Sequence, residues 1–92
     1  MKNDPTVSVI MTAFNAEAWI DEAIISILNQ SYADFEFIIF NDGSTDETDT
    51  RIRSFQDERI RYIRCTENKG IAFRANQGLL ISNGKYIARF DA

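Results

Sequence analysis

The chain alternates short, nearly continuous apolar runs with longer segments in which apolar residues recur every three or four positions. Val7-Ser8-Val9-Ile10-Met11 is almost wholly apolar, as a strand covered on both faces must be. Ile20, Ala23, Ile24, Ile27 and Leu28 then follow at helical spacing, which predicts a helix over Ala16–Asn29 with Asn15 as its N-cap. Phe35 to Phe40 reads as a second buried strand, rich in residues that suit a pleated surface. Ser44 and Glu47 have capping-box spacing. With Thr48, Ile52 and Phe55 they predict a second helix ending near Gln56, which displaces a hairpin reading of Asp42-Gly43. Ile60 to Cys65 predicts a third strand, and Arg61 and Arg64 within it suit a sheet edge. After a turn at Asn68-Lys69-Gly70, the stripe Ile71, Ala75, Gly78 and Leu79 predicts a third helix that stops at Asn83-Gly84. Gly78 is expected to allow close helix–sheet packing. Tyr86 to Phe90 predicts a fourth strand.

Strictly alternating strands and helices predict an α/β domain with a parallel, Rossmann-like sheet, right-handed crossovers and helices on both faces. With the third strand at the edge and the first central, the expected order is 3-2-1-4. That order puts a topological switch point between strands 1 and 4, where open α/β sheets bind ligands at the carboxyl ends of their strands. The residues expected there are Thr12 to Asn15, Asn41-Asp42 and Asp91. A fourth strand left with an open edge is an unusual place for a domain to stop. Residues 1–92 are therefore expected to be the N-terminal part of one larger domain.

Composition narrows the chemistry. The chain has 92 residues and a formal net charge of −4, which disfavours nucleic acid as a partner. No leader-like apolar stretch follows Met1 and no run has the length of a membrane span, so a cytoplasmic address is expected. Cys65 is the single cysteine and there is no histidine. Serine–histidine chemistry and histidine-rich metal sites are thereby excluded within these residues, and Cys65 is expected to be inert. Trp19, Tyr32 and Tyr62 read as packing aromatics, and Asp46, Glu47 and Asp49 as charges that complement a helix start.

Thr12-Ala13-Phe14-Asn15-Ala16-Glu17 stands where a dinucleotide site would need G-x-G-x-x-G, and no P-loop is present. Two carboxylates, Asp42 and Asp91, instead occupy the expected ligand edge. Carboxylates repel a diphosphate unless a cation stands between them, so a nucleoside diphosphate held through Mg²⁺ or Mn²⁺ fits this edge. Two rival classes fit less well. A receiver-like, non-catalytic signalling module would need a phosphoacceptor aspartate where Ile63-Arg64-Cys65-Thr66 stand. A nucleotidyltransferase would favour a Gly- and Arg-rich loop after the first strand.

Val7 to Asn15, Ile25 to Tyr32, Phe35 to Asp46, Asn68-Lys69-Gly70 and Gly84-Lys85-Tyr86-Ile87 together resemble the family 2 glycosyltransferases, in the family's order and over nearly the whole chain. The resemblance implies the N-terminal part of a GT-A fold, a nucleoside-diphosphate sugar donor (usually a UDP-sugar), a divalent metal and inversion at the anomeric carbon. It implies a nucleobase pocket lined by Thr12, Ala13 and Phe14 with Asn15 and Glu17 close by, and a base-binding carboxylate at Asp42. Lys69, Gly70 and Arg74 match the segment that flanks base and ribose. Asp91 matches the first aspartate of the D-x-D metal motif, whose second member would be residue 93. The family's catalytic base matches no residue here, so these residues alone are expected not to transfer sugar. A carbohydrate or lipid-linked acceptor is implied, with the inner membrane face as a possible working place. Thr12 replaces a frequent Pro, Phe14 a frequent Tyr and Asn41 a frequent Asp.

Overall fold

The computed structural model describes residues 4–91. The readings that touch residues 1–3 and residue 92, namely the leader-free start and the outer limits of the domain, lie outside the described residues. Four strands and three helices alternate: β1 (Val7–Ala13), α1 (Ile20–Leu28), β2 (Phe35–Asp42), α2 (Thr48–Arg53), β3 (Ile60–Cys65), α3 (Ile71–Ile81) and β4 (Tyr86–Asp91). The sheet is parallel with the order β3-β2-β1-β4, as the sequence predicts.

Pleating sorts the side chains into two layers. Val9, Met11 and Ala13 of β1 and Phe35, Phe37 and Ile39 of β2 point to one face. There they pack against Ile20, Ile24 and Ile27 of α1 and Ile52 of α2. Ile10, Ile38 and Phe40 point to the other face with Ile81 of α3. Helices thus cover both faces. Burying each of these large side chains contributes about 1.5–3 kcal/mol, so the β1–β2 pair is the thermodynamic centre of the fold.

The helix starts differ from expectation. α1 begins at Ile20 rather than Ala16, and Asn15 does not cap it. Asn15 adopts a left-handed φ of 47°, and its Oδ1 accepts from the Thr45 N–H at 2.8 Å. The Ser44–Glu47 capping box does not form either. Asp46 Oδ1 instead accepts from the Thr48 N–H at the start of α2, which ends at Arg53 rather than near Gln56. The stripe on α3 is rotated as well. Its buried residues are Arg74, Ala75 and Gly78, while Ile71 and Leu79 are exposed. Trp19 and Tyr32 are exposed rather than packed. Tyr62 does pack on the α1/α2 layer and also donates to Asp49 Oδ1 at 2.6 Å.

At the amino ends of the strands, Glu36 is buried on the α3 face. Its carboxylate accepts from the Ser8 hydroxyl, from Arg61 Nη1 at 2.6 Å and from the Asn83 N–H at 2.6 Å. Ser8 Oγ in turn accepts from the Gly84 N–H at 2.7 Å. Gly84 presses so closely on β1 that a Cβ would lie 2.5 Å from the Ser8 nitrogen. Its presence after α3 therefore serves a close approach as well as a helix stop. Burial opposes ionisation of Glu36, but Ser8, Asn83 and Arg61 outweigh it and hold the carboxyl below its ordinary value.

Two stability predictions follow from this packing. A Cβ on Gly78 would lie 2.7 Å from Cδ1 of Ile10, which is itself buried. Gly78→Val is expected to lower stability by roughly 2–3 kcal/mol through overpacking, read from urea midpoints. An unchanged midpoint would mean that Ile10 yields freely. Glu36 contributes fully above its ordinary value of 4.5, and that contribution is lost as pH falls through the lower folded value. Glu36→Gln is therefore expected to flatten the acid-side loss of stability. Parallel pH profiles for the two proteins would contradict this.

Candidate functional site at the carboxyl ends of the strands

Strand register brings the expected residues to one end of the sheet. Thr12 is paired with Phe40 on one side and with Asp91 on the other, and Ala13 is paired with Asn41. Asn41-Asp42 and Asp91 therefore flank the tip of β1. Pleating adds a second coincidence. Thr12 and Asp42 alternate with the α1/α2-facing residues, and so does Asp91, three positions beyond Ala88. All three belong to the face that α3 covers.

Asp42 is built into this edge rather than displayed on it, with 1% of its surface exposed. Its Oδ1 accepts from the Lys69 N–H at 2.9 Å and from Arg74 Nε at 2.7 Å, and its Oδ2 accepts from the Gly70 N–H at 2.8 Å. Burial disfavours the charge, but the Lys69 N–H, Arg74 and the Gly70 N–H together hold the carboxyl below its usual range. An ionised carboxylate offers about four acceptor positions. Three are taken, which leaves one on Oδ2.

Arg74 is fixed in turn. It is 6% exposed, donates from Nη1 to Gln77 Oε1 at 2.6 Å and from Nη2 to the Glu67 carbonyl at 2.7 Å. It is therefore neither a solvated helix charge nor a free cation. Lys69 is exposed, its ammonium 3.1 Å from Glu67. Gly70 has φ +93°, a left-handed value that glycine adopts without strain.

The other expected residues divide by exposure. Thr12 and Ala13 are buried, so they offer at most their strand-end edges. Phe14 is 46% exposed beside them and Asp91 is exposed at the tip of β4. Asn15 and Glu17 are exposed, yet both side chains bond the 45–47 backbone.

Sequence reasoning missed two participants. Gly43 has φ +76°, and a Cβ there would lie 2.7 Å from the Asn68 nitrogen and 2.8 Å from the Glu67 carbonyl carbon. Asn68 Nδ2 donates to the Asp42 carbonyl at 3.2 Å. The Asp-Gly pair was a readable signal for the first, and nothing local announces the second.

A cavity of about 370 Å³ opens at the opposite end of the sheet, lined by Asp34, Phe35, Glu36, Arg59 and Arg61 among others. Its two arginines are already paired, Arg59 with Asp57 and Arg61 with Glu36. Cys65 is half-buried beside Asp42 in register, and burial pushes its thiol up, in keeping with an inert role. Among the described residues no cluster of three or more His, Cys, Asp or Glu side chains could by itself hold a metal ion.

Known proteins share both the sequence and the fold. Residues 8–92 match the family described as Glycosyl transferase family 2. An uncharacterized glycosyltransferase of Haemophilus influenzae is 48% identical over the whole chain, which covers 29% of that protein. The Escherichia coli UDP-Glc:alpha-D-GlcNAc-diphosphoundecaprenol beta-1,3-glucosyltransferase WfgD is 37% identical over 98% of the chain, which covers 37% of it. Among solved structures, the Pyrobaculum calidifontis mannosyltransferase PcManGT, in complex with GDP-Man and Mn²⁺, superposes with a TM-score of 0.85 and 25% identity. That likeness covers 98% of this chain and 28% of the mannosyltransferase. The chain thus spans well under half the length of these relatives, and within that span its sequence and fold agree with theirs: it belongs to glycosyl transferase family 2.

Proposed function

We propose that this chain is the donor-binding part of an inverting glycosyltransferase that moves a sugar from a nucleoside diphosphate, preferentially UDP, to an acceptor hydroxyl. The observation that carries the reading is the convergence of Phe14, Asp42 and Asp91 on one end of the sheet. A base that presents a ring N–H, as uracil and guanine do and adenine and cytosine do not, would complement the remaining acceptor position of the buried Asp42 carboxylate. The exposed Phe14 ring offers an apolar face for that base. GDP-Man in PcManGT and UDP-Glc in the name of the Escherichia coli relative support a nucleotide-sugar donor. The acceptor named for the latter supports a lipid-linked carbohydrate, and with it work at the cytoplasmic face of a membrane. Among the described residues no helix is long and apolar enough to cross one.

A divalent cation, Mn²⁺ or Mg²⁺, fits the donor set in kind, because Asp91 supplies a hard carboxylate oxygen at the exposed tip of β4. When bound, such an ion neutralises the departing diphosphate. Asp91 would hold it from the protein side, and donor phosphate oxygens would complete the set. Asp42 and the Lys69-Gly70 backbone orient base and ribose. No general base is assigned to these residues, so the chain is expected to bind donor without transferring sugar.

Calorimetric titration of UDP, GDP, ADP and NAD, with and without Mn²⁺, tests the reading. UDP or GDP binding strengthened by Mn²⁺ is expected, and Asp91→Asn is expected to abolish the strengthening. NAD binding that ignores Mn²⁺, with no UDP or GDP binding, would overturn the assignment. Asp42→Ala should also lower stability by about 3–5 kcal/mol, because it leaves the Arg74 guanidinium buried without its counter-charge. A thermal midpoint unchanged by that substitution would show that the pair contributes nothing to folding.

A further inference from the structure

Family resemblance puts Asn15 and Glu17 near the nucleotide, but their side chains are engaged elsewhere. Asn15 Oδ1 accepts from the Thr45 N–H at 2.8 Å and from the Thr45 hydroxyl at 3.4 Å. Ser44 Oγ accepts from the Asn15 N–H at 2.9 Å. Two residues on, Glu17 Oε1 accepts from the Glu47 N–H at 3.0 Å, and Asp46 Oδ2 accepts from the Glu17 N–H at 3.3 Å. Between them the Ala16 N–H donates to the buried Thr48 hydroxyl at 2.9 Å. Thr48 Oγ1 in turn donates to Asp46 Oδ1. The pattern is reciprocal. Side chains of each loop satisfy backbone N–H groups of the other, over five consecutive residues on one side and three on the other.

We infer that Asn15 and Glu17 are positioning residues. With Ser44, Thr45, Asp46 and Thr48 they form a clasp between the β1–α1 and β2–α2 loops that holds Phe14 and Asp42 in register for the donor nucleotide. The inference rests on the donor-binding reading above and changes what two of its residues do. Both lone pairs of Asn15 Oδ1 are occupied by Thr45, so a nucleotide could use that atom only by displacing them. The left-handed φ of 47° at Asn15 costs a residue with a Cβ some free energy, and asparagine tolerates it best. That turn sits directly after Phe14, whose ring is half-exposed. At the far side of the clasp, Ser44 follows Gly43 and Asp42, so the same bonds fix where β2 ends. The clasp thereby couples the residue that faces the base to the residue that bonds it.

Three substitutions in the full chain separate positioning from contact. Asn15→Gly keeps the left-handed turn and removes the acceptor. Glu17→Ala removes acceptor and charge, whereas Glu17→Gln keeps an acceptor oxygen and removes only the charge. UDP affinity in Mn²⁺ is read by calorimetry, and amide hydrogen exchange of residues 13–17 and 44–48 is read without nucleotide. Asn15→Gly and Glu17→Ala are each expected to weaken UDP binding by about five- to tenfold, the worth of one or two hydrogen bonds. Each should also speed exchange in the opposite loop, at Thr45 or Glu47. Glu17→Gln should stay within about twofold of wild type in both readouts, because it preserves the bond. If Glu17→Gln is as damaging to binding as Glu17→Ala, with exchange unaltered, the residue acts by its charge and the clasp is overturned. A wild-type protein that binds neither UDP nor GDP instead overturns the donor reading, and the positioning role with it, whatever the exchange rates show.

Discussion

Two carboxylates buried on one strand govern how the molecule is put together. Glu36 and Asp42 lie at opposite ends of β2 and point to the same face. Six residues of extended chain separate them by roughly 20 Å, at about 3.3 Å per residue. α3 has 11 residues and is therefore roughly 16 Å long. Asp42 receives the first turn of that helix through Gly70 and Arg74. Glu36 receives its last turn through Asn83 and through Arg61, which also donates to the Ile81 carbonyl at 3.0 Å. The helix buries only Arg74, Ala75 and Gly78, so apolar area alone gives it a weak seat. Its position is set by charge at both ends and by the missing side chain of Gly78 in the middle.

Isolated buried charges are costly, and a buried ion pair is a weak guarantee of stability. The cost is contained here because each carboxylate takes several hydrogen bonds at once, from Lys69, Gly70 and Arg74 at Asp42 and from Ser8, Arg61 and Asn83 at Glu36. The Asp42–Arg74 pair is closed further by the Glu67 carbonyl and by Gln77. A hydrophobic pair could seat the helix as firmly. It could not also place a carboxylate at the strand tip, on the face that α3 covers. Structure and proposed chemistry meet in that single carboxylate.

Much of this was legible in the sequence, and the misread helix starts and helix face share one cause. Strand identities and order followed from the apolar runs of β1 and β2 and the charged character of β3, because burial on both faces leaves a compositional mark. Asp42 and Asp91 lie at one end of the sheet as expected, because the ends of parallel strands are a predictable address. The helix starts were misread because Asn15, Ser44 and Glu47 carry local capping signals that remote partners override. Asn15 lies 30 residues from the Thr45 it binds. The buried face of α3 was misread for the same reason: Arg74 is inside because Asp42 is there, and no periodicity reports a partner 32 residues away. Ile71 and Leu79, the apolar residues that suggested the stripe, remain exposed.

The donors in these networks are largely main-chain amides: those of Asn15, Thr45 and Glu47 in the loops, Lys69 and Gly70 beside Asp42, Asn83 and Gly84 at the far end. An amide is supplied by every residue type except proline. The frame around the strand tips therefore places little demand on the side chains at positions such as 47 and 69. Those positions can drift while the acceptors that grip their backbones stay put, and there proline is the exchange that removes the donor.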